Sequence, residues 1–158
     1  MNVVKSIASL GLVAFLAACG SADRYAVDMP PVTEQVSIRF NSVEVRDVSL
    51  PSYAAADEIH VRKSNGTLVS SSDELWADSP ERAVALELSE NLSRLTNRRI
   101  ASEPWPFEAY PDARLELRFS ELLAAETGQF RASGQYFVAV STGGSERSGL
   151  FDLTVAFD

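Results

Sequence analysis

Leu115-Glu116-Leu117-Arg118-Phe119-Ser120 decides the fold, because apolar and polar residues alternate along it with the period of a strand that buries one face. The alternation returns at Tyr136, Val138 and Val140, and again at Leu153, Val155 and Phe157. Thr127-Gly128 and Thr142-Gly143-Gly144 separate the three runs and have the composition of turns. Three one-sided strands joined by turns are expected to form an antiparallel meander with a single buried face. That face needs a cover.

The cover is expected upstream. Ser79 is a good N-cap residue, Pro80 suits the first helical position, and Glu81 sits in the first turn. Val84, Leu88, Leu92 and Leu95 then recur at helical spacing as one apolar stripe, while Glu87, Glu90 and Arg94 occupy other faces. This predicts the main helix, packed on the meander with Leu92 buried against it. The fold class is therefore α/β, a two-layer, mostly antiparallel (mixed) sheet with a helix packed on one face.

Between the N-terminus and this helix, Val36, Ile38 and Phe40 read as a half-buried strand, with a bulge near Asn41-Ser42 before Val43 and Val45. A loop through Leu50-Pro51-Ser52-Tyr53 leads to a strand over Glu58–Arg62. Ser64-Asn65-Gly66-Thr67 has the residues of a tight hairpin returning through Leu68 and Val69. Gly20 to Glu34 is polar, contains Pro30-Pro31 and reads as a tether, or as a short first strand around Tyr25-Ala26-Val27.

The start of the chain has the layout of a lipoprotein leader. Lys5 supplies a positive n-region, Ile7 to Phe15 an apolar h-region, and small residues precede Cys19, the chain's single cysteine. A thiol is nucleophilic enough to take a diacylglyceryl group, and cleavage before it frees an amine for a third acyl chain. Two or three chains anchor stably where one does not. Residues 1–18 are thus expected to be a signal peptide, 19–34 the lipidated Cys19 with its tether or first strand, and 35–158 the domain. Gly20 follows the cysteine where lipoproteins retained in the inner membrane usually carry Asp. The expected location is the periplasmic face of the outer membrane.

Removing Lys5 with the leader takes the formal charge from −8 to −9. Such an acidic body is a poor partner for nucleic acid, and membrane attachment falls to the acyl chains. Catalytic constellations are missing from the pattern. His60, the one histidine, lies in an alternating strand without partners suited to a metal site or a triad. Ser70-Ser71-Ser72 lacks the context of a nucleophile elbow, and no glycine-rich phosphate loop occurs. The sequence reading is therefore no enzyme, no metal and no cofactor. Aromatic residues on loops often serve contacts, so Tyr53, Trp76, Trp105 and Phe107 are the candidate partner contacts, or else plugs at the ends of the core.

The order of motifs resembles a family. The lipobox is followed by a Tyr-containing strand, by Leu50-Pro51-Ser52-Tyr53 ahead of Ile59-His60-Val61-Arg62, and by Leu75-Trp76-Ala77. A helix ending Glu90-Asn91-Leu92-Ser93-Arg94-Leu95 and then Pro104-Trp105-Pro106 complete the series. In this order the chain resembles the ABC-type transport auxiliary lipoproteins of the paraquat-inducible protein C type, from Cys19 to about residue 140. The resemblance implies an outer-membrane docking subunit beside a periplasmic mammalian-cell-entry-domain lipid transport protein and its ABC permease and ATPase. Two departures stand out. The family usually has a further amphipathic helix where this chain stops at Asp158, and Ala54-Ala55-Ala56 replaces polar and charged residues.

The alternative expectation is a stand-alone lipoprotein that binds a lipid in an apolar pocket between helix and sheet. The apolar row at Leu153, Val155 and Phe157 adds another. An uncovered strand of this kind is sticky, so self-association into a homo-oligomer, or a partner covering that strand, is expected.

Overall fold

The structure is a computed structural model that describes residues 21–28, 31–141, 143–144 and 146–157. Residues 1–18, expected to be a signal peptide, and Cys19 lie outside the described residues. The elements run β1 (Asp23–Tyr25), β2 (Ser42–Val45), β3 (Glu58–Arg62), β4 (Leu68–Trp76), α1 (Pro80–Thr96), β5 (Arg99–Ser102), β6 (Ala113–Ala125), β7 (Gln129–Val140) and β8 (Arg147–Ala156). Together the strands form one mixed sheet of eight.

β6 is its spine. β7 pairs antiparallel along its full length from Ala113 to Ala125, and β8 continues the meander antiparallel to β7. The opposite edge of β6 is shared by two strands in succession. β2 lies parallel to its first residues, and the ladder continues through Arg46 N–H to Leu115 O (2.9 Å) and Ser49 N–H to Leu117 O (3.0 Å). The chain then leaves through the loop from Leu50 to Asp57 and rejoins as β3, parallel to Ala124 and Ala125. β4 pairs antiparallel with β3, β1 parallel with β4, and β5 parallel with β2.

The helix spans Pro80 to Thr96 with Pro80 in its first turn and closes on Asn97 in the left-handed conformation (φ 52°), which lets Asn97 N–H reach Ser93 O. Ser79 makes no side-chain cap; its hydroxyl donates instead to Glu81 Oε2 (2.9 Å). Two expectations about this helix need correction. It packs on β5 and β2, not on the meander. Its buried positions are Pro80, Ala85, Ser89, Asn91 and Thr96, whereas Val84, Leu88, Leu92 and Leu95 are only half-buried. Small side chains at Ala85 and Ser89 let the helix axis approach the strands closely, which pushes the bulkier stripe to the flanks of the contact. The firm core lies here, in Val43, Val45, Val48, Ala85 and Ala113.

Residues 36–40 form no strand, contrary to their alternation. The edge of β6 that such a strand would need is occupied by residues 42–49. The segment turns to the helix instead, with Val36 N–H donating to Leu95 O (2.7 Å) and Val36 left 49% exposed. What the sequence suggests as a bulge at Asn41-Ser42 is the strand's start. Asp112 Oδ2 accepts both amide N–H groups there, at 2.7 and 3.2 Å. The hairpin after β3 forms as its Asn-Gly pair suggests: Gly66 has φ +87°, Lys63 N–H donates to Thr67 O, and Thr67 N–H to Asn65 Oδ1.

Candidate functional site

Directly opposed residues of an antiparallel ladder share a face, so the register assigns every side chain of the meander. One face carries Leu115, Leu117 and Phe119 of β6 against Val138, Tyr136 and Gly134 of β7. The register shifts between Phe119 and Glu121, so that Leu122 and Ala124 resume the same face opposite Ala132 and Phe130. On β8 the row continues as Phe151, Leu153 and Val155. The shift preserves an apolar face where strict alternation would have turned Glu121 onto it.

Gly134 makes the shift possible. A Cβ there would stand 2.2 Å from Arg118 O and 2.9 Å from Phe119 Cα, both backbone atoms, so no side chain fits. Phe119 fills the space over the glycine and meets Phe151 edge to face, with ring centroids 5.2 Å apart. Toward the outer strand the cover thins. Leu153 and Val155 are each 60% exposed, Phe157 is 47% exposed, and Leu150 on the reverse face is 79% exposed. A contiguous exposed apolar row on an outer strand is the signature of a surface that meets another molecule.

The reverse face is mostly polar, with Leu123, Phe137 and Leu150 among charged residues. Arg131 binds Asp152 through two N–H groups (3.1 and 2.7 Å) and approaches Glu121 at 3.6 Å, while Arg62 Nη1 lies 2.7 Å from Glu121 Oε1. The hydrogen bond from Arg131 lowers the pKa of Asp152, and Asp152 in turn raises that of Arg131. A concavity of about 280 Å³ lies over this network, lined by Arg62, Glu121, Arg131 and Asp152 with Leu123 and Thr154. Its charged wall suits ions or water better than an acyl chain. Among the described residues, no group of His, Asp and Glu is placed to hold a metal. Among the same residues, no helix is long and apolar enough to cross a membrane.

The sequence-predicted contact residues fall at separate places. Trp105 and Phe107 come together on the loop between β5 and β6, with ring centroids 4.9 Å apart. Trp105 Nε1–H donates to Ala109 O (2.7 Å), and the Arg99 guanidinium lies 5.0 Å from the Phe107 ring. Arg99 and Glu44 share one face of β5 and β2, and Glu44 is 8% exposed. It accepts Arg114 Nε–H at 2.7 Å. Phe107 stays 43% exposed.

Tyr53 is half-buried beside His60 at 6.4 Å. His60 Nδ1 is 3.0 Å from Glu58 O. Trp76 ends β4 half-buried, in register with Tyr25. None of the described contacts joins Tyr53 or Trp76 to the Trp105–Phe107 pair. The sequence reading missed Tyr110, which is 81% exposed. Its only signal was its place after the Pro-Trp-Pro-Phe segment.

A family model described as ABC-type transport auxiliary lipoprotein component matches residues 25–157. The fold is similar to a crystal structure titled as that of an uncharacterized protein, with a TM-score of 0.68 at 18% identity over 87% of this chain and 81% of that one. It is also similar to the crystal structure of a protein from Xanthomonas campestris, with a TM-score of 0.57 at 14% identity over 87% of this chain and 77% of that one. A search of curated proteins found no match.

Proposed function

This chain belongs to the family of ABC-type transport auxiliary lipoprotein components, and on that premise we propose that it is the outer-membrane docking subunit of a lipid transport system. Cys19 carries the acyl chains on the periplasmic face of the outer membrane. The domain receives the end of a mammalian-cell-entry-domain protein that is served by an ABC permease and ATPase in the inner membrane. The docking subunit itself makes and breaks no bonds and needs no cofactor.

The observation that carries this reading is the outer row of the meander, where Leu153 and Val155 are each 60% exposed. Apolar side chains held on a paired strand give a partner a rigid surface, which lowers the ordering cost of association. A self-sufficient lipid carrier would instead enclose its apolar surface in a cavity. The concavity over Glu121 is lined by charged groups, which favours docking over carriage.

A photo-crosslinking residue placed at Leu153 or Val155 in intact cells tests the proposal, with the product identified by mass spectrometry. The expected product joins this protein to a mammalian-cell-entry-domain protein. A product formed only between two copies of the chain would replace docking by self-association, and one formed only with lipid would favour the carrier.

A further inference from the structure

The hydrogen-bond phase of the meander shows which backbone groups are still open. Along a strand, the N–H and C=O of one residue point to the same side, and the side alternates from each residue to the next. Arg46 N–H and Ser49 N–H donate to Leu115 O and Leu117 O, so these residues of β6 face β2 while Glu116 and Arg118 face β7. Through the register, Gly134, Tyr136 and Val138 of β7 then face β8, bonded with Phe151, Gly149 and Arg147. The bond from Phe157 N–H to Gly128 O sets the other end of the ladder in the same phase. Ser148, Leu150, Asp152, Thr154 and Ala156 therefore turn their backbone groups away from β7. Among the described residues, no strand pairs with that edge.

The edge is also unguarded. The ends of the strand order are short, with three residues in β1 and four in β5. β8 has ten, runs in unbroken register with β7, and contains neither proline nor lysine. Its one interior charge, Asp152, is drawn back toward β7 by two N–H groups of Arg131. Shortness, bulges, prolines and free charges are the usual means of protecting an edge, and β8 uses none of them. Apolar exposure lies on both sides of this strand, because Leu150 (79% exposed) is on the reverse face from Leu153 and Val155. A partner lying flat on one face would leave Leu150 in water. A strand placed beside β8 brings side chains against both faces.

We propose that an extended segment of the transport partner adds a strand to the open edge of β8, bonding to the backbone of Leu150, Asp152 and Thr154. This deepens the docking function proposed above and rests on it. Pairing two copies of the chain would bring together bodies of formal charge −8 each, which favours a segment of a different protein. The chemistry of the segment follows from its neighbours. It is apolar on both faces beside Leu150 and Phe151, and on one face only where Asp152 and Thr154 alternate with Leu153 and Val155.

The test places a photo-crosslinking residue at Leu150 or at Leu153 of the full-length protein in intact cells, and mass spectrometry maps the attachment points. Both positions are expected to crosslink to one short segment of the same mammalian-cell-entry-domain protein. Thr154→Pro removes an outward N–H that the ladder with β7 does not use, so the fold should survive while the yield at Leu153 falls several-fold. Ala156→Pro makes the same test if Thr154→Pro unfolds. Products at Leu153 with none at Leu150, or an undiminished yield from a folded proline variant, would overturn the edge pairing and leave docking standing. Products at Leu150 that join two copies of the chain would also overturn it. No product with the transport protein at either position would remove the docking function and the inference together.

Discussion

Two edges of the sheet, β2–β5 and the β7–β8 branch off β6, solve the same packing problem differently. At β2 and β5 the helix lies against the strands, and Val43, Glu44 and Val45 are all buried. At β8, the same kind of alternating strand carries Leu153 and Val155 more exposed than buried. One region holds the domain together. The other is held in shape by hydrogen bonds to β7 and keeps its apolar side chains available to a partner.

Substitutions should separate the two regions. The largest effect is expected from Gly134→Val, whose side chain would collide with the backbone at Arg118 and Phe119. Loss of about 3 kcal/mol or more, read by denaturant titration, would show that the glycine holds the spine of the sheet together. Val45→Ala, at a position with no exposure, should cost about 2–3 kcal/mol. Leu153→Ala should stay within about 0.5 kcal/mol of the parent while weakening the crosslink to the transport protein. Equal losses from Val45→Ala and Leu153→Ala would erase the distinction between the regions.

Leu92→Ala sharpens the comparison within the buried region. A fully buried leucine would cost about 2–5 kcal/mol, but half-burial on the flank of the helix contact lowers the expectation to about 1–2 kcal/mol. The smallest expected effect is that of Asp152→Asn on the polar face. Arg131 lowers the pKa of Asp152, so its contribution is complete above the ordinary carboxylate range and is lost as pH falls through the lowered value. The variant should be slightly less stable than the parent at neutral pH and indistinguishable from it in strong acid. A difference that grows on acidification would contradict the pairing.

Elements with a strong local signal were legible in the sequence. The alternation at Leu115 to Phe119, the Asn-Gly turn and the Ser-Pro-Glu helix start each depend on neighbours close in the chain, and each forms where it is expected. The misreadings concern long-range choices. Val36 to Phe40 alternate as well as any strand, yet the edge of β6 was already taken by residues 42–49. The helix stripe was displaced because Ala85 and Ser89 permit closer approach than leucines do, which periodicity alone does not weigh. The shift at Ser120 was hidden for the same reason: it depends on Gly134 across the ladder.

For the contact residues, aromatic composition pointed to the loop between β5 and β6, where Trp105 and Phe107 meet each other and Phe107 lies by Arg99. The row at Leu153 and Val155 was visible as an uncovered strand. Its exposure followed only once the helix was placed against β2 and β5, away from β8.

Amide hydrogen exchange on the membrane-bound protein, alone and in the presence of the transport protein identified by crosslinking, tests the central claim most directly. Slower exchange on binding is expected along β8 and the adjoining part of β7, with α1, β2 and β5 unchanged because they are already protected. Protection gained at α1 and β5 with β8 unchanged would place the partner on the wrong region and contradict it.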